Sequence, residues 1–270
     1  MKILVSSEWL NDNINNQNLI LLDASQKTNL VKVDHPQGNI QIKNARSFNL
    51  KEKFSDTTTS LPNMLPNSTE FKRESRILGI NNSSVIVIYD DLGIFFSPRV
   101  WWMFKAMGNQ KVYVLNGGLT DWLKKGFITE PKIPKSYSLG NFKACFNSNT
   151  VRSLDAIKRN IKRKDEILID ARSNNRFKGL APEPRDIPSG SIKGSINIPY
   201  ESVLKNGKYK RQEDLVKIFK NHNIDNRPLI FSCGSGTTAC IILLASELVL
   251  TNQKSVYDGS WTEWSTDQME

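Results

Sequence analysis

Apolar residues along this chain come in short β-branched bursts, each closed by a polar or acidic residue. LILLDAS (19–25) and EILIDAR (166–172) are apolar runs ending on Asp23 and Asp170, and VIVIYDD (85–91) and PLIFSCG (228–234) form a second matched pair. Runs so short and so apolar predict strands buried on both faces. After the second pair come PRVWWMFKAM (98–107) and TACIILLASELV (238–249), which read as helices. VYVLNGGLTDWLKKG (112–126) and SVYDGSWTEWS (255–265) follow, each a strand, a glycine turn and a tryptophan. The same pattern is therefore written twice, in one order. Strands alternating with helices predict an α/β fold, with two similar domains of mainly parallel sheet flanked by helices. The first is placed at 1–130 and the second at 150–270. The stretch 131–149, rich in Pro, Ser, Lys and Asn, reads as a linker. SDTTTSLPNMLPNST (55–69) is a long loop punctuated by prolines, of the kind that often carries function.

Composition narrows the class. Of 270 residues, 39% are hydrophobic and 9% aromatic, which suffices for real cores and excludes wholesale disorder. The stretch MKILVSSEWLNDN has no extended apolar run, and the one at Ile241–Leu250 is interrupted by Ser246 and Glu247. Neither can span a bilayer, so no membrane partner and a cytoplasmic setting are expected. The formal net charge of +10 is spread along the chain, and its densest cluster, KRNIKRK (158–164), has no aromatic neighbours. That cluster reads as an exposed helix face, so no nucleic-acid partner is expected, only a weak general pull on anionic substrates. Cys145, Cys233 and Cys240 form no CxxC pair, and there are two histidines, His35 and His222. A disulfide framework or a structural zinc is therefore not expected, nor any metal or cofactor.

One thiol stands in a chemically suggestive place. Cys233 ends an apolar run and opens the loop CGSGTTA (233–239) ahead of a helix. Strand, glycine-rich turn and helix make an anion cradle, with backbone N–H groups converging beside a helix N-terminus. A thiol there ionises more readily, because its negative charge is stabilised. Gly234 and Gly236 let the backbone curl around sulfur, and Ser235, Thr237 and Thr238 offer hydroxyl groups. The repeat supplies a control: the place of Cys233 is taken in the first half by Asp90, so the chemistry is expected in the second half. A phosphate-cleaving cysteine loop would need an arginine where this chain has Ala239. Cys145 and Cys240 read as structural.

Taken in order, PRVWWMF (98–104), LNGGLTDW (115–122), RSNNRFKGLAPEPR (172–185), SGSIKGSINIPY (189–200), CGSGTTA (233–239) and DGSWTEW (258–264) resemble the two-domain rhodanese superfamily, and within it the 3-mercaptopyruvate sulfurtransferases. The likeness covers nearly the whole chain and implies two tandem rhodanese-like domains, the second catalytic. It implies that Cys233 takes a sulfur atom as a persulfide and passes it to a thiol, cyanide or a protein, with ping-pong kinetics. Thiosulfate-specific relatives carry basic residues after the cysteine, where this chain has neutral Gly234 and Ser235. By the same likeness, the keto-acid carboxylate of the donor would be met by Arg176 and Arg185, whose forks suit a planar anion.

The chain also departs from the family. Thr237 stands for the usual Val, and Ser191 for a histidine expected to be structural. Asn63, before Met-Leu-Pro, replaces a histidine for which a relay with the loop serine has been proposed, and the acidic partner position is Glu52. Asn donates hydrogen bonds but does not shuttle protons, which puts a relay through Ser235 in question. Thiosulfate transfer and a low-turnover sulfur carrier or interaction module stay open as alternatives.

Overall fold

The computed structural model describes residues 3–26 and 39–269, and the chain divides into two compact units. His35 lies outside the described residues. Unit one comprises Met1–Asp56, Leu65–Phe146 and Asn206–Lys208; unit two comprises Thr57–Met64, Asn147–Lys205 and Tyr209–Glu270. The proline-punctuated loop of the first half thus lends residues 57–64 to the second unit.

In chain order the first half holds β1 (Leu4–Val5), α1 (Ser7–Asn13), β2 (Leu19–Asp23), β3 (Ile40–Ile42), β4 (Arg46–Ser47), α2 (Ser68–Ile77), β5 (Val85–Tyr89), α3 (Ser97–Ala106), β6 (Val112–Leu115), α4 (Gly118–Lys124) and β7 (Thr129–Pro131). The second holds β8 (Val151–Arg152), α5 (Leu154–Arg163), β9 (Ile167–Asp170), α6 (Asn174–Phe177), β10 (Ile196–Asn197), β11 (Leu204–Lys205), β12 (Lys208–Tyr209), α7 (Gln212–Asn221), β13 (Leu229–Ser232), α8 (Ala239–Glu247), β14 (Lys254–Tyr257) and α9 (Ser260–Asp267).

The sequence repeat is a topological repeat. One sheet runs β1-β6-β5-β2-β4 and the other β10-β9-β13-β14-β8. Read from the opposite edge, the first order becomes β4-β2-β5-β6-β1, which maps strand for strand onto the second. Every pairing in both sheets is parallel. β5 and β13 are central, with all four residues of β13 buried, which accounts for their unbroken apolar runs. β13 pairs with β9 in the register Ser232 to Asp170, so the loop that opens at Cys233 leaves the sheet beside the end of β9. Ligand sites of open parallel sheets gather at these carboxyl ends.

Each unit has its own core. Val5, Leu10, Leu21, Val87, Leu115 and Trp122 anchor one, and Ile157, Leu168, Ile230, Tyr257 and Trp264 the other. Trp101 and Trp102 of α3 are buried, with the Arg99 guanidinium 4.4 Å above the Trp102 ring, so PRVWWMF packs the interior of unit one. The later part of the stretch read as linker is laid along the same unit. Gly140 N donates to Arg76 O and Cys145 N to Met107 O, while Phe142 packs tilted against Phe71 and edge-on against Phe104. Among the described residues no helix is long and apolar enough to cross a membrane.

Candidate active site

The loop after β13 is drawn into a cup by its neighbour, the turn between β14 and α9. The Oγ of Ser260 accepts from the amides of Cys233 (3.2 Å) and Gly236 (3.1 Å). Trp261 N donates to Cys233 O (3.0 Å), and Thr262 donates to Gly234 O through both its amide (3.1 Å) and its hydroxyl (2.7 Å). Gly236 has a φ of 77°, where a Cβ would strain the turn. Cys240, one residue into α8, donates its thiol to Gly236 O (3.3 Å) and closes the cup from behind. The amides of Gly234, Ser235, Thr237 and Thr238 make no hydrogen bond to the described residues. These donors follow Cys233 in the same loop, and Cys233 is 2% exposed. The cup suits a sulfur anion by its geometry.

Two arginines reach the loop. Arg176, on α6, brings its Nη2 to 2.9 Å from where a Cβ on Gly234 would lie, so glycine there makes room for the guanidinium. The fork is aimed by Glu183, which also accepts from Arg172 Nη1 at 2.7 Å and is fully buried in its side chain. Arg172 in turn grips Asp170 at the end of β9, lies 4.5 Å from the Trp261 ring and donates to Gly190 O. A chain of two acids and two arginines therefore fixes Arg176 from the sheet outward. Arg185 arrives separately, its Nη2 3.4 Å from Ser235 Oγ. No ion pair joins it to the adjacent Asp186 among the described residues, although its neighbour in sequence suggests one. Tyr200, the last residue of SGSIKGSINIPY, lies within the field of Arg176, and burial, with Glu201 beside it, pushes its phenol up from the ordinary tyrosine range.

Asn63 comes to the same serine. Its Nδ2 donates to Ser235 Oγ at 3.0 Å and approaches Ser235 O at 3.4 Å. Its backbone is left-handed, φ 61°, a region that Asn, Asp and His enter more readily than other side chains. Asn is thus compatible with the backbone at this position, and its amide donates to the serine. Glu52 accepts from the Asn49 side-chain amide instead (2.7 Å), and Ser191 is exposed. Cys233, Gly234, Ser235, Gly236, Thr237, Arg176, Arg185 and Asn63 are brought together; Thr238 is the least enclosed of the loop, and Cys145 is exposed on unit one.

The equivalent loop of unit one is occupied by its own side chain. Asp90 is fully buried and its Oδ2 accepts from the amides of Phe95 (3.0 Å), Phe96 (3.0 Å) and Ser97 (2.8 Å) and from Ser97 Oγ (2.7 Å). A carboxylate fills the cradle and caps α3, taking up the donors of Phe95, Phe96 and Ser97. Asp90→Ala is expected to destabilise the protein by ~2–4 kcal/mol, since several buried amides lose their acceptor. Urea unfolding reads this directly; an unchanged midpoint would mean that those donors find other partners.

Three contributors are hard to find in the sequence: Glu183, Arg172 as the hub behind Arg176, and Ser260. Of these, only Arg172 carries a local signal, its spacing from Asp170.

The rhodanese-like domain family matches residues 6–125 and again 153–267. Thiosulfate sulfurtransferase of Rattus norvegicus is 37% identical over 97% of this chain and 92% of its own length. 3-Mercaptopyruvate sulfurtransferase of Mus musculus is 36% identical with the same coverage of both chains. The crystal structure of SseA from Escherichia coli, described among the 3-mercaptopyruvate sulfotransferases, aligns with a TM-score of 0.86 at 30% identity, over 97% of this chain and 99% of that one. The two parallel sheets flanked by helices agree with this match. The chain belongs to the rhodanese family, in which it is a two-domain sulfurtransferase.

Proposed function

We propose that this sulfurtransferase uses 3-mercaptopyruvate as donor, with Cys233 as nucleophile and a persulfide on it as intermediate. The observation that carries this reading is the meeting of two guanidinium groups, from Arg176 and Arg185, at a loop whose residues after the cysteine are neutral. A keto acid presents a flat carboxylate and a keto oxygen, which two forks can hold together. The Cys233 thiolate attacks the donor sulfur; the S–S bond forms as the C–S bond breaks, and the electron pair leaves on C3 of the enolate. The proton that began on the donor thiol ends on that carbon, giving pyruvate and Cys233–S–S⁻. An acceptor thiolate, cyanide or protein thiol then takes the outer sulfur and returns the Cys233 thiolate.

The loop residues divide this work. The amides of Gly234, Ser235, Thr237 and Thr238 hold the thiolate and then the persulfide, and Gly236 permits the turn. Both lone pairs of Ser235 Oγ face donors, Asn63 Nδ2 and Arg185 Nη2. Its own O–H is therefore left to donate into the cup, as a hydroxyl has one proton and two acceptor sites. Ser235 acts as a hydrogen-bond donor to the reacting sulfur or enolate, with Asn63 holding it in that orientation. The proton exchange itself then falls to Ser235 and solvent, without a histidine relay.

A second reading, thiosulfate as the donor, is favoured by the rat relative of that name. In that case the same thiolate would displace sulfite. Measuring kcat/KM for both donors separates them. Mercaptopyruvate is expected to be preferred by at least tenfold, and a preference for thiosulfate would overturn this reading.

A further inference from the structure

Ser260 begins α9 with a left-handed backbone, φ 53°. Side chains other than Asn, Asp and His seldom remain there unless the surroundings hold them. The repeat provides the comparison. Gly118 occupies the same place in NGGLTDW that Ser260 occupies in DGSWTEW, and its φ is also 53°. The two turns are fastened alike: Leu119 N donates to Asp90 O as Trp261 N does to Cys233 O, both at 3.0 Å. Thr120 Oγ1 donates to Asp91 O at 3.1 Å, as Thr262 Oγ1 does to Gly234 O at 2.7 Å. In unit one the position must be glycine, because a Cβ would lie 2.2 Å from Asp90 O.

Unit two has a serine at the same φ, where glycine would carry no strain. Its hydroxyl is fully engaged, accepting from the amides of Cys233 and Gly236 and donating to Tyr257 O at 2.8 Å, and the residue is fully buried. The oxygen thus grips the two ends of Cys-Gly-Ser-Gly. The amides between and after them are the ones without a partner among the described residues. In unit one no such grip is needed, because the Asp90 carboxylate fills the loop from within.

We infer that Ser260 is a positioning residue for sulfur transfer: it stands in for the missing carboxylate, holding the loop open and its remaining amides turned toward Cys233 sulfur. It does not touch the donor. The inference rests on the reading of Cys233 as the nucleophile.

Ser260→Gly and Ser260→Ala both remove the hydroxyl, but only glycine also relieves the backbone. The expected result is a similar fall of at least tenfold in kcat for both, with donor KM within about threefold of the parent, while Tm is higher for the glycine variant than for the alanine one. Activity would then follow the hydroxyl and stability the backbone. Activity that recovers in the glycine variant in step with its Tm would reduce Ser260 to a structural role and overturn the inference. So would kcat within twofold of the parent in both, or a loss confined to KM. If Ser260→Ala does not fold, kcat and KM of the glycine variant well below its Tm decide the matter by the same limits. The parent protein is assayed in parallel for sulfur on Cys233 after exposure to donor. If it carries none, the proposed function has failed; if it does and the variants behave as the parent, only the role of Ser260 has.

Discussion

Cys233→Ser is expected to abolish sulfur transfer, lowering kcat by at least ~10⁴-fold, the scale seen when a nucleophile is removed. The substitution is nearly isosteric and the loop is held through main-chain groups, Cys233 N on Ser260 Oγ and Cys233 O on Trp261 N. The cup therefore survives while the atom that accepts sulfur is lost. Cys145→Ser and Cys240→Ser should each leave kcat/KM within about threefold. Cys145 is exposed, and a serine at 240 keeps a donor for Gly236 O. A steady-state assay of the three variants, with folding checked by circular dichroism, reads the difference. Turnover retained by Cys233→Ser would refute a covalent intermediate on that residue.

Arg176→Ala should weaken donor binding by about 2–5 kcal/mol, roughly thirtyfold or more in KM, with a smaller effect on kcat. The fold should tolerate it, because Glu183 keeps its second partner, Arg172, at 2.7 Å. Loss of the Arg176 cation leaves that carboxylate facing the loop, so repulsion adds to the lost contact. Arg176→Lys should recover little, since one ammonium cannot serve Glu183 and a donor carboxylate in the two directions a fork spans. An unchanged KM in Arg176→Ala would remove this residue from the binding of the donor.

Much of the architecture is legible because burial writes itself into residue type. β9 and β13 are covered on both faces and so appear as unbroken apolar runs, and their order in the chain repeats that of β2 and β5. The gathering of Cys233, Ser235 and Arg176 was also legible, though only through motifs that the chain shares with a family. Hydrogen-bond direction and backbone hand are a different matter. Nothing in SLPNMLP tells that Asn63 has a left-handed backbone or that its amide donates to Ser235. Glu183 sits in APEP, a context that reads as an exposed turn, yet its side chain is buried between two arginines. The repeat hides its contrast in the same way. Asp90 and Cys233 are visibly aligned, but that the carboxylate fills its own cradle depends on four donors converging on one oxygen.

Whether sulfur passes through Cys233 is read by intact-protein and peptide mass spectrometry after incubation with 3-mercaptopyruvate. One added sulfur atom is expected, removed by a reducing thiol, and located by digestion on the peptide that carries Cys233. Protein that turns over the donor with no added sulfur, or with sulfur on Cys145 or Cys240 instead, would contradict passage through Cys233.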